Sequence, residues 1–279
     1  MSNLAARHQN FYDLHQSGCF VIPNPWDIGS AKLMAANGAV ALATTSAGFA
    51  FTLGRPDMGT VSRDESLSHA QDIVAATPLP VSGDFEDGFG ETPDDVAETI
   101  NRAAEVGLSG CSVEDTRMIA GNTPYEFELA VERIKAGASA AKALPHPFVF
   151  CARADGVMNG HYDTDEAIRR IQAFEQAGAD LLYVPIPPTF DDLAKIVKSV
   201  DKPVNGLAAG PYRQYSKQEF AEIGVRRISI GSALSRVTHH HIVKATQMMC
   251  GELGSFEGLA DAASGDEIDA MLLAGSAEK

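Results

Sequence analysis

This chain of 279 residues is short of basic side chains, of cysteine motifs and of long apolar runs, and each shortage closes off a class of function. Lysine and arginine number 22 against 37 aspartates and glutamates, a formal net charge of −15. Nucleic acid and anionic membrane surfaces are therefore poor partners, and an anionic substrate needs a local positive patch or a bound cation. The four cysteines, Cys19, Cys111, Cys151 and Cys250, are widely spaced and form no Cys-x-x-Cys pair. Buried free thiols in a reducing compartment are a simpler reading than disulfides. The opening residues Met1 to His8 hold no apolar signal core, and no apolar run approaches the roughly 20 residues of a membrane span, so a cytoplasmic protein is expected.

What the chain does have is alternation. Short β-rich runs are placed at Cys19–Pro23, Ala39–Thr45, Pro80–Phe85, Gly110–Glu114, Pro147–Arg153, Leu181–Pro185, Pro203–Leu207 and Arg227–Ile230. Between them lie amphipathic stretches such as 64–76, 93–106, 124–143, 165–177 and 217–223, with apolar residues recurring at three and four. Several of these stretches close on a glycine just before the next strand, at Gly38, Gly107, Gly178 and Gly224, which is the turn of a repeating βα unit. Eight units predict a (β/α)8 barrel over residues 1–250, with an open doubly wound sheet as the alternative because spacing alone does not prove closure. Residues 251–279, rich in Gly, Ala and Ser, read as a C-terminal helical extension with helical patterns near 256–262 and 266–273, placed to pack on a neighbouring subunit.

A barrel of this kind builds its active site from the loops at the carboxyl ends of the strands. Those ends carry Asn24, Asp27, Ser46, Ala47, Gly48, Asp84, Glu86, Asp87, Glu114, Asp115, Arg153, Asp155, Tyr183, Asn205, Gly231 and Ser232. Asp84 and Glu86 are two apart and would point to one side of an extended segment, with Glu114 arriving from the next strand. Their ligand atoms are hard oxygens with no competing His or Cys pattern, so Mg²⁺ or Mn²⁺ fits better than zinc; the competing reading is that strand-end acids cap the following helices, as Asp94 or Asp95 would. The backbone of Ser46, Ala47 and Gly48 could approach an anion, or could be a simple turn. Arg153 ends an apolar strand, where a cation is costly unless it meets an acid or an anionic ligand. The run His239-His240-His241 reads as helix surface, since consecutive helical residues point about 100° apart and cannot converge on one metal.

Taken in order, Asn24-Pro-Trp-Asp27, Thr45-Ser-Ala-Gly48, Arg55-Pro-Asp57, Asp84-Phe-Glu-Asp-Gly-Phe-Gly90, Val113-Glu-Asp115 and Ala152-Arg-Ala-Asp155 resemble the isocitrate lyase/phosphoenolpyruvate mutase superfamily over roughly residues 10 to 245. The resemblance implies a homodimer or homotetramer in which the last barrel helix swaps between subunits. It also implies a Mg²⁺ ion that anchors a small 2-oxo or 2-hydroxy acid. By position, Asp84, Glu86 and Glu114 would surround the metal with Asp57 in its outer shell. Ser46, Ala47 and Gly48 would bind the substrate carboxylate, Arg153 would steady an enolate oxygen, and Asn205 would fall near the pocket.

One departure bears on the reaction. Superfamily lyases acting on isocitrate or methylisocitrate carry a Lys-Lys/Arg-Cys-Gly-His segment after strand four, whose cysteine supplies a proton. Here that gate loop reads Glu114-Asp-Thr-Arg-Met-Ile-Ala-Gly-Asn-Thr-Pro124, without cysteine or histidine. Arg117 and Asn122 are left to contact a distal carboxylate or phosphonate on closure, with Gly121 as a hinge. The expectation is a Mg²⁺-dependent lyase on a small dicarboxylate, with oxaloacetate-like decarboxylation as the example, because departing CO₂ needs no general acid. Phosphonopyruvate hydrolase or mutase chemistry and a non-catalytic 2-oxo acid binding barrel are the alternatives.

Overall fold

The computed structural model describes residues 2–118, 121–252 and 254–277. Among them the short apolar runs form eight parallel strands: β1 (Phe20–Ile22), β2 (Leu42–Ala43), β3 (Val81–Asp84), β4 (Gly110–Glu114), β5 (Val149–Arg153), β6 (Leu181–Tyr183), β7 (Val204–Leu207) and β8 (Arg227–Ser229). The order β1-β8-β7-β6-β5-β4-β3-β2 curls the sheet until its two edges meet. There the Ala43 N–H donates to the Pro23 carbonyl at 3.1 Å, and the Asn24 side chain donates to the Thr44 carbonyl at 3.0 Å. The fold is a (β/α)8 barrel, not an open sheet.

The helices are α1 (Ser2–Leu14), α2 (Ile28–Ala36), α3 (Ser46–Thr52), α4 (Arg63–Ala76), α5 (Pro93–Glu105), α6 (Phe127–Ala143), α7 (Thr164–Gln176), α8 (Phe190–Lys198), α9 (Lys217–Glu222), α10 (Ala233–Cys250) and α11 (Gly265–Ala274). Capping boxes start several of them: Ser62 with Glu65, Thr92 with Asp95 and Ser216 with Glu219 each satisfy two otherwise orphaned donors. Asp95 thus does cap a helix. The glycines foreseen as αβ turns all take left-handed backbone, Gly38, Gly107, Gly178 and Gly224 at φ 88°, 87°, 105° and 94°.

Strand alternation sorts the side chains. On β5, Phe150 and Ala152 face the helix layer in one core cluster, while Val149 and Cys151 join Phe20, Ile22, Ala43, Leu181 and Tyr183 in a second cluster that fills the barrel interior. The same parity carries Ser82 and Asp84 on β3, Ser112 and Glu114 on β4, and Arg153 on β5 to the mouth. At the other end α1 closes the floor: Phe11 is fully buried in the interior cluster, and His8 Nδ1 meets Ser109 Oγ at 3.0 Å just before β4.

The tail lies back on its own chain. α11 packs on α2, the Asn37 amide contacts the Met271 sulfur at 3.4 Å, and the Ala277 N–H donates to the Ala76 carbonyl at 3.0 Å. The turn at Glu257–Leu259 rests against α10. Val237, Ile242 and Val243 on α10 and Phe256 in the tail stay exposed. The histidine triple sits on α10, where His239 contacts Phe51 edge-on and Ser235 through Nδ1. No helix among the described residues is long and apolar enough to cross a membrane.

Candidate active site

A cavity of about 390 Å³ opens at the carboxyl ends of the strands. Ser46, Ala47, Asp57, Asp84, Glu86, Glu114 and Arg153 all line it, although they come from five separate stretches of chain. Asp84 ends β3 and is held from several sides. The backbone N–H and hydroxyl of Ser46 donate to its Oδ2 at 2.9 and 3.0 Å, and Arg153 Nη1 donates to Oδ1 at 2.9 Å. Its own N–H donates to Thr44 Oγ1 at 2.8 Å, locking β3 to the end of β2.

Arg153 is the hub. Besides Asp84 it reaches Glu114 at 3.0 Å and forks onto Asp155 with bonds of 3.0 and 2.6 Å, while its guanidinium lies 4.9 Å from the Tyr183 ring. Despite desolvation, these three carboxylates raise its pKa well above the ordinary arginine value, so it stays charged. One cation cannot neutralise three acids. Burial pushes the Glu114 carboxyl well above the usual range, and the charges of Asp155, Asp84 and Glu86 push the same way against the pull of Arg153.

Glu86 reaches the same cavity by a different route from the one its spacing suggests. The strand stops at Asp84, and Glu86 adopts left-handed backbone at φ 45°, so alternation does not align the two acids. The turn itself aims Glu86 inward, where Oε1 accepts the Gly59 N–H at 3.0 Å. Burial, joined by the charges of Asp84, Asp57 and Asp87, lifts its carboxyl to about 7. Asp57 is raised too, chiefly by burial, although the Met58 N–H bound to it pulls the other way.

Gly48, Asn122 and Asn205 are not among the residues lining the cavity. Residues 46–48 are not a loose anion-binding turn but the first turn of α3, whose N-cap Thr45 takes the Gly48 N–H at 3.2 Å, while the Ser46 N–H is committed to Asp84. Asn205 is wholly buried under the site, accepting from Arg227 Nε at 2.7 Å and donating to Ser229 Oγ at 2.9 Å. Asn122, at φ 56°, lies on the gate loop, where Arg117 stacks 4.4 Å over Tyr125 and points to Glu91. Ile119 and Ala120 of that loop lie outside the described residues. Asp87 and Asp115 are fastened to the frame: Asp87 accepts from the Tyr125 hydroxyl at 3.0 Å, and Asp115 from Arg170 at 3.0 Å and Tyr162 at 2.8 Å.

Two cationic cavity residues escaped sequence reasoning. Arg227, at the start of β8, and Arg236, in the first turns of α10, both line the cavity, and neither stands within ion-pair distance of a carboxylate among the described residues. Only Arg227 had a signal, strand parity, since it shares its strand face with Ser229.

The acid end suits a hard divalent cation. Asp57, Asp84, Glu86 and Glu114 offer only oxygen to the cavity, and the carboxyls of Asp57, Glu86 and Glu114 are raised above their usual range, a state that a cation would relieve. Among the described residues no three His, Cys, Asp or Glu side chains form a ready cluster around one point.

The family model described as phosphoenolpyruvate phosphomutase matches residues 11–250. A solved structure from Burkholderia cenocepacia J2315, provisionally titled a lyase/mutase, is 42% identical, with a TM-score of 0.92 over 97% of this chain and 96% of that one. The oxaloacetate decarboxylase of Pseudomonas savastanoi pv. phaseolicola is 28% identical over 75% of this chain and 73% of its own. Phosphonopyruvate hydrolase, solved with oxalate and Mg²⁺, shares the fold at 22% identity and a TM-score of 0.83, covering 95% and 94% of the two chains.

Proposed function

The chain belongs to the phosphoenolpyruvate phosphomutase family, and from that membership we propose that it is a Mg²⁺-dependent lyase-type enzyme. Its substrate is a small 2-oxo or 2-hydroxy dicarboxylate whose carbon–carbon bond it cleaves, with oxaloacetate decarboxylation as the reaction to test first. The observation that carries this reading is the convergence of Asp57, Asp84, Glu86, Glu114 and Arg153 on one cavity at the barrel mouth. The similarity to an oxaloacetate decarboxylase supports the same choice.

Asp84, Glu86 and Glu114 would hold the ion, directly or through water, with Asp57 behind them. Bound there, it would polarise the 2-oxo group and stabilise negative charge on that oxygen. Ser46 keeps Asp84 in place through two hydrogen bonds, so the carboxylate needs no rearrangement to act. Arg153 remains charged and lines the same cavity, where it would steady the oxygen on which charge develops when the bond between C3 and C4 breaks and CO₂ leaves. The electron pair passes into the enolate, and C3 then takes a proton from solvent. No thiol acid is required, which accords with a gate loop lacking cysteine.

The exposed apolar side chains of Val237, Ile242 and Val243 on α10 support assembly into a homo-oligomer through that helix. Light scattering tests it, with a dimer or tetramer expected and a monomer against it. For the reaction, CO₂ release from oxaloacetate and phosphate release from phosphonopyruvate are followed with Mg²⁺ and with EDTA. CO₂ release abolished by EDTA is expected. Phosphate release alone would replace this reading with phosphorus–carbon cleavage.

A further inference from the structure

The cavity is segregated by charge. Its β3–β4 side carries Asp57, Asp84, Glu86 and Glu114, with the one cation there, Arg153, ion-paired to Asp84, Glu114 and Asp155. Its β8–α10 side carries Arg227, Gly231, Ser232 and Arg236 and no acid. Arg227 is only 4% exposed, and its Nη1 has no hydrogen-bond partner, while Nε and Nη2 go to the neutral Asn205 and Cys151. A buried guanidinium with an unsatisfied donor and no counter-ion is costly. Arg236 is exposed, lines the cavity, and has no acid beside it among the described residues. The corner also contains the start of the 18-residue α10, whose N-cap Ser232 makes no side-chain cap bond. Helix starts beside the last strands of such barrels favour anions.

We propose that this β8–α10 corner seats the substrate's second anionic group, with Arg236 as the contact residue, in place of the gate loop. It rests on the reading of the acid end as the seat of the 2-oxo acid head. The gate-loop alternative is weakened because Arg117 is engaged by the Pro124 carbonyl, Glu91 and the Tyr125 ring. A ligand that satisfies both sides has a chelating head at one end and a carboxylate or phosphonate at the other. The corner therefore selects two-ended dianions over 2-oxo monoacids.

Calorimetry on the full chain with Mg²⁺ tests this with three probes. Oxalate reaches only the acid end; 3,3-difluorooxaloacetate adds a distal carboxylate, and sulfopyruvate adds a tetrahedral anion of phosphonate shape. In Arg236→Gln, affinity for the two-ended probes is expected to drop about 10- to 100-fold, the worth of a charge-assisted hydrogen bond, while oxalate changes less than about twofold. Arg236→Lys should recover part of the loss, and the probe that loses more identifies the distal group as carboxylate or phosphonate. Equal weakening of all three probes, or of none, overturns the assignment. Oxalate binding that ignores Mg²⁺ in the unaltered protein would instead overturn the acid-end reading, and this one with it.

Discussion

At the floor of the barrel, α1 lays Phe11 into the interior and brings His8 and His15 with it, both kept neutral by burial and nearby positive charge, with pKa values lowered to about 4 and about 3. At the mouth, the same scaffold gathers Asp57, Glu86 and Glu114 and raises all three carboxyls above their ordinary range. Floor groups rest in the state that folding prefers. Mouth groups are held close to one another at some cost to folding, and a bound cation removes that cost. The difference separates the part of the barrel built for stability from the part built for binding.

The largest effect that would sharpen this contrast is on turnover. Asp84→Asn keeps the shape of the side chain and removes its charge; oxaloacetate decarboxylation should fall by about a thousandfold, with the melting temperature unchanged or raised. A mutant retaining near-normal kcat would break the contrast at the mouth. Next comes the floor: Phe11→Ala should cost about 3–5 kcal/mol in urea unfolding, with turnover per folded molecule unaltered.

The two ends should also respond to acid with opposite sign. His8 and His15 stay neutral in the folded chain but gain a proton near pH 6.5 once unfolded, so their contribution is complete above that pH and is lost as pH falls towards about 4 and about 3. Glu86 titrates near 7 when folded and 4.5 when unfolded, so in EDTA its folded form is favoured at low pH and loses that advantage as pH rises through 7. Urea unfolding of His8→Gln and Glu86→Gln across this range should flatten the acid limb and the neutral limb respectively. Smallest of all is a change at neither end: Thr92→Ala removes the N-cap of α5 and should cost about 1 kcal/mol without altering turnover.

Much of the barrel is legible because each strand is a short apolar run and several follow a helix closed by a glycine turn, and those signals are local. β2 is shorter than the run 39–45 at its far end because the Thr44 hydroxyl turns to take the Asp84 N–H and Thr45 turns to cap α3. Residues 46–52 hide a helix for the same reason, since their small side chains read as a turn. At the site, Asp84, Glu114 and Arg153 follow from strand parity, whereas Glu86 arrives through a left-handed turn that parity does not describe. What fastens Asp87 and Asp115 is non-local: Arg133, 46 residues on, binds the Asp87 carbonyl, and Arg170, 55 residues on, binds the Asp115 carboxylate. Arg236 carried no local mark, because only barrel closure brings α10 to the rim opposite β3 and β4.

The central claim is that the mouth's carboxylates serve one divalent ion. Titration of the metal-free protein with Mn²⁺, followed by electron paramagnetic resonance, tests it directly. One saturable site per chain, displaced by Mg²⁺ and lost in both Asp84→Asn and Glu114→Gln, is the predicted result; no saturable site, or one indifferent to both substitutions, would contradict it.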